Sequence, residues 1–268
     1  MTKNKFSIIT VTLNNISGLK RTYTSLRAQS CRDFEWIVID GNSDDGTDTL
    51  LQTLGAQWIS EKDGGIYDAM NKGIKRSRGK YILFLNAGDA LTAPDTLEMI
   101  ATLTDQNPAL IYGDSYEDKN YKPARSHEQI VLGLFTHHQA IFYNRKKLGE
   151  LRYNTNFKIA ADYDFTARAL QQNGAAAALF CPIPVCIFES GGLSQQNAAR
   201  GRNEQFIVRK NLKLYGALKN AGIYCAQTLL WQFRTIAPNL YWRLKSSGNT
   251  ARAPAQNLIL PYRRENPV

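Results

Sequence analysis

The feature that most constrains the fold is an alternation through the first half of the chain. Short runs of β-branched and aromatic residues are each followed by a segment with helical spacing, the pattern of a mostly parallel sheet covered by helices. Phe6 to Leu13 reads as the first strand, after which Leu19, Tyr23 and Leu26 recur at helical intervals. Phe34 to Ile39 is the second strand, and Thr47 to Leu54 the short helix behind it. Ile66, Met70 and Ile74 share one helical face, Gly79 closes that segment, and Tyr81 to Leu85 is the next strand.

Ligands of open sheets of this kind sit beyond the carboxyl ends of the strands. The loops expected there, at Asp40 and at Asn86 to Asp89, are rich in acid and face one crevice. Beyond about Pro108 the pattern loosens. Strands are predicted at Ile111 to Tyr112 and Gln139 to Tyr143, a helix over Asp162 to Gln172, and a strand over Ala178 to Phe188 interrupted by Pro182 and Pro184. From about Gln195 the chain reads as helical, and its last fifteen or so residues as frayed.

Charge divides the chain more sharply than pattern does. The net charge is +10, yet from Arg200 onward twelve Lys or Arg stand against Glu204 and Glu265, so the first 199 residues are neutral. A neutral body with a basic end implies two jobs. No nucleic-acid-binding module accompanies the charge, and an anionic membrane surface is one partner that fits it. Cys31, Cys181, Cys186 and Cys225 lack Cys-x-x-Cys spacing and lie among apolar neighbours, which points to free thiols in a reducing compartment. The short apolar run at Phe6 to Leu13 falls far below a signal-peptide pattern, and a cytoplasmic location is expected.

Six segments carry chemistry. They are Ser7-Ile-Ile-Thr-Val-Thr-Leu-Asn-Asn15, Ile39-Asp-Gly-Asn-Ser-Asp-Asp-Gly-Thr47, Asp63-Gly-Gly-Ile-Tyr-Asp-Ala-Met-Asn-Lys-Gly73, Gly79-Lys-Tyr-Ile-Leu-Phe-Leu-Asn-Ala-Gly-Asp89, His137-His-Gln139 and Ala160-Ala-Asp-Tyr-Asp-Phe165. In this order they resemble the motifs of family 2 glycosyltransferases, over roughly Phe6 to Ser194. The resemblance implies an α/β fold of the GT-A kind, Rossmann-like, with a mostly parallel central sheet flanked by helices and a C-terminal helical extension. It divides the chain into a catalytic domain, 1–195, and a basic helical extension, 196–268. Within the first, about 1–107 would hold the nucleotide sugar and 108–195 the acceptor.

The resemblance also implies roles. Thr10, Thr12 and Asn14 lie along the nucleoside, and Asp40 accepts from the base, most simply uracil N3–H. Asp63, Asn71 and Lys72 belong to the donor-binding segment, Asn86 to the donor ribose or sugar, and His138 and Gln139 to the donor or acceptor pocket. The family's metal motif is Asp-x-Asp; here Gly88 stands at the usual second acid, so Asp89 alone is the ligand for Mg²⁺ or Mn²⁺, which often relies on substrate phosphates for part of its shell. Asp162 is the expected base, with Asp164 beside it and Ala161 in place of the usual Glu. The glycines of Glu189-Ser-Gly-Gly-Leu-Ser194 suit a loop that closes over the diphosphate.

Structural readings stand beside several of these. Asp40, Asp89 and Asp162 also fit turn or cap positions, and Asp44 and Asp45 read as turn formers before Thr47. Asp68 and Lys72 fit a surface ion pair.

The implied activity is inverting transfer from a nucleotide diphosphate donor, a UDP-sugar first, to a glycan or lipid-linked oligosaccharide in bacterial surface polysaccharide synthesis. Its alternatives are a non-catalytic nucleotide-sugar-binding scaffold and a two-carboxylate glycoside hydrolase. Lys219 and Arg234 bracket only fourteen uncharged residues, too few for a bilayer span of about twenty. Tyr224, Leu229, Leu230, Trp231, Phe233, Tyr241 and Trp242 mixed with Lys219, Arg234, Arg243 and Lys245 suit either a helix lying in the inner membrane interface or a face packed on the catalytic domain or on a second subunit, as in a homodimer.

Overall fold

The structure, a computed structural model, describes residues 5–247. The end read as frayed, with Arg252, Arg263 and Arg264, lies outside the described residues.

Strand β1 (Phe6–Thr12) leads into helix α1 (Ile16–Arg27), β2 (Phe34–Asp40) into α2 (Thr47–Leu51), and β3 (Gln57–Ser60) into α3 (Ile66–Arg76). Then come β4 (Tyr81–Phe84), β5 (Ala90–Leu91), α4 (Thr96–Ala101), β6 (Leu110–Glu117), β7 (Asn120–Lys122), β8 (Ile141–Asn144) and α5 (Arg145–Leu148). The chain continues through α6 (Ala161–Asn173), β9 (Ala178–Phe188), α7 (Leu193–Gln196), α8 (Ala198–Asn211), α9 (Ala217–Ile236) and α10 (Pro238–Ser247). One sheet runs β3-β2-β1-β4-β8-β6-β9-β5, with β7 on β6. It is parallel from β3 to β4; β8 then enters antiparallel, and β6 and β9 form a second long parallel ladder.

Successive strand residues point to opposite faces, and both faces are covered. Ile8, Val38 and Leu83 pack with Leu19 and Leu26 of α1 and Leu97 and Ile100 of α4. Ile9, Ile37, Ile39 and Phe84 pack with Met70 and Ile74 of α3 and Phe165 and Leu170 of α6. That double coverage explains why the early strands read as continuous apolar runs rather than alternating ones.

Three expectations change. β6 extends to Glu117, well past Tyr112, and the strand expected from Gln139 begins at Ile141 after a 3₁₀ turn over His138–Ala140. β9 runs unbroken through Pro182 and Pro184, because a bulge shifts its register against β6 from Gly113↔Cys181 to Asp114↔Pro184 and takes the missing N–H groups out of the ladder. Gly113 permits that bulge, since a Cβ there would sit 2.5 Å from the Ile183 carbonyl oxygen.

The boundary at residue 195 is also not a seam. Val208 of α8 is fully buried in the same core as Phe165 and Tyr163. Glu204 of α8 accepts from the N–H groups of Lys158, Ile159 and Ala160, at 3.0, 2.8 and 2.9 Å, just before α6 begins. Burial pushes the Glu204 carboxyl up, but these donors and Arg200 outweigh it and hold it below its ordinary range.

Candidate active site

A cleft of about 1580 Å³ opens at the carboxyl ends of β1 and β2 and extends to α9 and α10. Of the expected site residues, Thr12, Asp63, Asn86, Asp89, His138, Gln139 and Asp162 line it.

The end of the cleft at the strand termini is formed by Thr12, Leu13, Gly41 and Asp63. The Thr12 Oγ1 is buried there without a protein partner, a polar atom left for a ligand. Asp63 holds Lys72 by an ion pair; burial raises its carboxyl, against the pull of that lysine.

Five expected contacts lie outside the lining. Thr10 is fully buried, donating to the Leu85 carbonyl (2.7 Å) and accepting from the Trp36 indole (2.9 Å), so it ties the sheet together. Asn14, at φ 49°, accepts from the Asp44 N–H and shapes the loop. Asp40 is wholly buried and accepts from the Ser43 N–H and from the hydroxyls of Ser43 and Ser60, so most of its acceptor capacity is used within the protein. Asn71 clamps Tyr153 through both its backbone N–H and carbonyl, and Lys72 is shared among Asp63, Glu61 and Asp68. The Asp68–Lys72 ion pair therefore exists, within a larger acid cluster. Asp45 receives Thr47 and Ile16, the turn role read from the sequence.

At the middle of the cleft, Asp89 is buried and accepts from the Glu189 N–H at 3.0 Å. Burial pushes its carboxyl up to about 7; the Glu189 N–H and the Gln139 amide pull it back, and the Glu189 carboxylate pushes it further up. Asn86, in the same loop, has a buried Oδ1 with no partner. Carboxylate and amide oxygens are the donors a hard divalent cation takes, with phosphate oxygens and water completing its shell. The residues present therefore fit Mg²⁺ or Mn²⁺ at a site shared with a diphosphate, although among the described residues no three His, Cys, Asp or Glu side chains converge.

At the far end Asp162 sits on the first turn of α6, half-buried, with its Oδ1 accepting from the Tyr163 N–H (2.7 Å). Burial raises its carboxyl to about 6 against that hydrogen bond, with Glu204 adding repulsion. Asp164 turns to Arg168 in an ion pair four residues along the helix.

His138 meets the cleft from the core side. It stacks on Phe84, shares a 2.6 Å hydrogen bond with the Tyr153 hydroxyl, and burial holds its pKa down to about 3, so it is a neutral member of the core that meets the cleft wall.

Glu117 was not singled out in the sequence, and His137, Glu189, Trp231 and Arg234 were named there only as part of a motif, a loop or the tail; all five line the cleft. Arg234 of α9 pairs with Glu117 of β6, His137 stacks on Phe188, and the Arg202 guanidinium lies 4.9 Å from the Trp231 ring centre. The available signal was the mixture of rings and cations in the tail. Cys181 and Cys186 are buried, and no described cysteine is in a disulfide.

Comparison with known proteins places this cleft in context. Glycosyl transferase family 2 matches residues 7–174. The chain is 35% identical over 202 residues to a PGL/p-HBAD biosynthesis glycosyltransferase of Mycobacterium bovis, covering 70% of this chain and 78% of that protein. Its fold is similar to S. aureus TarS 1-349 in complex with UDP-GlcNAc (TM-score 0.67, 18% identity, 93% and 82% of the two chains). It is also similar to the mannosyltransferase PcManGT of Pyrobaculum calidifontis in complex with GDP-Man and Mn²⁺ (TM-score 0.63, 16% identity, 95% and 77%). With a family match across most of its length, a curled α/β sheet of the GT-A kind and a cleft at the strand ends, this chain belongs to glycosyl transferase family 2 and is a glycosyltransferase.

Proposed function

We propose that the chain is an inverting transferase that moves a sugar from a UDP-sugar to a hydroxyl of a glycan or lipid-linked oligosaccharide in bacterial surface polysaccharide synthesis. The observation that carries this reading is that Asp89 and Asp162, two acids whose carboxyl groups burial lifts to about 7 and about 6, line one cleft. A carboxyl raised to about 6, as at Asp162, is largely ionised at neutral pH yet keeps proton affinity, as a general base requires.

Asp162 takes the proton of the acceptor hydroxyl. The freed oxygen attacks the anomeric carbon, and the carbon–oxygen bond to the diphosphate breaks with its electron pair leaving on the nucleoside diphosphate. One displacement inverts the configuration. Asp89, with Asn86 beside it, would hold Mg²⁺ or Mn²⁺, which when bound offsets charge on the departing diphosphate. Gln139 orients Asp89 through its amide.

At the nucleoside end the base lies against Gly41, with Thr12 and Leu13 beside it. Asp63 is the carboxylate that faces the cleft and accepts the base N–H, while Asp40 shapes the loop from behind. The TarS complex with UDP-GlcNAc supports a uridine donor, and the PcManGT complex with GDP-Man names the competitor. Isothermal titration with UDP, GDP and CDP, with and without Mn²⁺, tests the reading. UDP should bind most tightly and Mn²⁺ should strengthen it; preference for GDP or CDP, or unchanged UDP affinity in Asp63→Asn, overturns the nucleotide assignment.

The acceptor side is assigned to β6, α6 and the basic extension. Among the described residues no helix is long and apolar enough to cross a membrane. The outward face of α9 and α10 nevertheless exposes Leu218, Leu229, Ile236 and Leu240, with Lys219 and Arg243 also exposed. That combination suits a peripheral position on the inner face of a cytoplasmic membrane, where a lipid-linked acceptor would be presented.

A further inference from the structure

The Asp-x-Asp pattern leaves Gly88 without a carboxylate, and the structure fills that space from elsewhere. β5 and β9 pair antiparallel, Leu91 against Cys186 and Ala90 against Ile187. Carrying that register two residues further sets Gly88 opposite Glu189. The Glu189 carboxylate lies over Gly88 so closely that a Cβ there would come within 2.1 Å of its Oε2. Gly88 also adopts φ +105°, where other residues are strained. The strained backbone disfavours a side chain at the position, and the Glu189 carboxylate occupies the space one would take. The Glu189 N–H is bonded to Asp89 Oδ1, so backbone and side chain of one residue bracket the Asp89 loop.

We propose that Glu189 supplies, from the end of β9, the second carboxylate of the divalent-cation site, in place of the acid that residue 88 lacks. Two acids a hundred positions apart and the buried Asn86 Oδ1 then contribute oxygen to one cation, and the diphosphate completes the shell. Arg21, 3.5 Å from the Glu189 carboxylate, neutralises it while the cation is away and holds it over Gly88. The arrangement also connects metal binding to the Glu189–Ser194 loop, since Glu189 opens that segment.

The inference rests on the metal-assisted reading above, and the experiment separates the two. Mn²⁺ is titrated into the full chain with saturating UDP and followed by the electron paramagnetic resonance signal of free Mn²⁺. Melting temperature without ligand is recorded for each variant. The parent chain should bind Mn²⁺. Glu189→Gln, which keeps the shape and removes the charge, should weaken Mn²⁺ binding by roughly 10-fold to 100-fold, the range found when groups that tune a metal site are lost, with an unchanged melting temperature. Glu189→Asp should recover part of that loss. Parent-like Mn²⁺ affinity in Glu189→Gln overturns the inference alone, and a fall in its ligand-free melting temperature that matches the affinity loss assigns Glu189 to loop shape and overturns it too. Absence of Mn²⁺ binding by the parent chain with UDP removes the metal from both readings.

Discussion

The two ends of the cleft are built differently. The end at the strand termini comes from consecutive strand–loop–helix units: β1, β2 and β4 each run parallel and each delivers its own loop to the same edge. The far end is assembled over long distances in the chain. Glu204 reaches Ala160 across 44 positions, Gln227 reaches the Leu132 carbonyl across 95, and Arg234 reaches Glu117 across 117. Local motifs therefore specify the strand end of the cleft, whereas the placing of Asp162 depends on the helices after residue 195.

The sharpest way to break this comparison is at Asp162. Asp162→Asn removes the base without changing its volume, and the transfer rate should fall by about 10²–10⁴ while UDP binding persists. Single-turnover transfer beside UDP titration checks it; a loss of both together would mean that the two ends are not separable.

Glu204 tests whether the extension supports the catalytic end. Glu204→Ala orphans the N–H groups of Lys158, Ile159 and Ala160 behind α6, two of whose bonds to Glu204 are fully buried. Stability should fall by about 3 kcal/mol, as expected when a buried charged acceptor is removed from its donors, and transfer should weaken more than UDP binding. Urea denaturation of both proteins measures the first, and the ratio of kcat to UDP affinity the second. An unchanged midpoint would show that α8 merely lies on the domain.

The extension itself contains a second contrast. α8 buries Val208, Glu204 and Arg209, whereas α9 leaves Leu218 91% and Ile236 83% exposed. Truncation before Lys219 should therefore reduce association with anionic vesicles and leave UDP binding largely intact, with a modest loss of stability because buried Arg209 loses its partner Asn220. Each basic residue near such a surface contributes about 1 kcal/mol, so the loss should be graded with salt. Co-sedimentation across ionic strengths beside a melting curve distinguishes this from simple loss of packing: a large drop in melting temperature with no change in vesicle binding would make the face a protein contact.

The smallest effect concerns pH. Asp162 must be ionised to act, so kcat/KM should fall about tenfold per pH unit below its raised value near 6 and level off above it. The sign for folding is opposite. A carboxyl whose folded pKa is raised binds its proton more tightly in the native state, so its contribution to stability is present at low pH and is lost as pH rises through about 6. Asp162→Asn should flatten both trends, as read by rate and melting profiles between about pH 4 and about pH 8.

Much of the fold was legible because both faces of β1, β2 and β4 are covered, which demands continuous apolar runs that stand out in any sequence. β3 was not seen, since Gln57–Ser60 is a short edge strand with exposed ends. At the site, Thr12, Asp63, Asn86, Asp89, His138, Gln139 and Asp162, singled out from their motifs, line the cleft. Thr10 and Asp40 were in the right motifs, but their side chains turn into the protein, to Trp36 and Leu85 in one case and to Ser43 and Ser60 in the other.

By itself the sequence determined the alternation of β1, β2 and β4 with α1, α2 and α3 and the motifs that carry the two acids of the proposed chemistry, because periodicity and turn residues act over a few positions. Only the tertiary structure decided that α8 shares the core with α6, that Arg234 and Trp231 wall the cleft, and that a glutamate occupies the space above Gly88. Those relations depend on strand register and helix packing between segments a hundred residues apart, and no local pattern encodes which distant side chain will fill a gap left by a glycine.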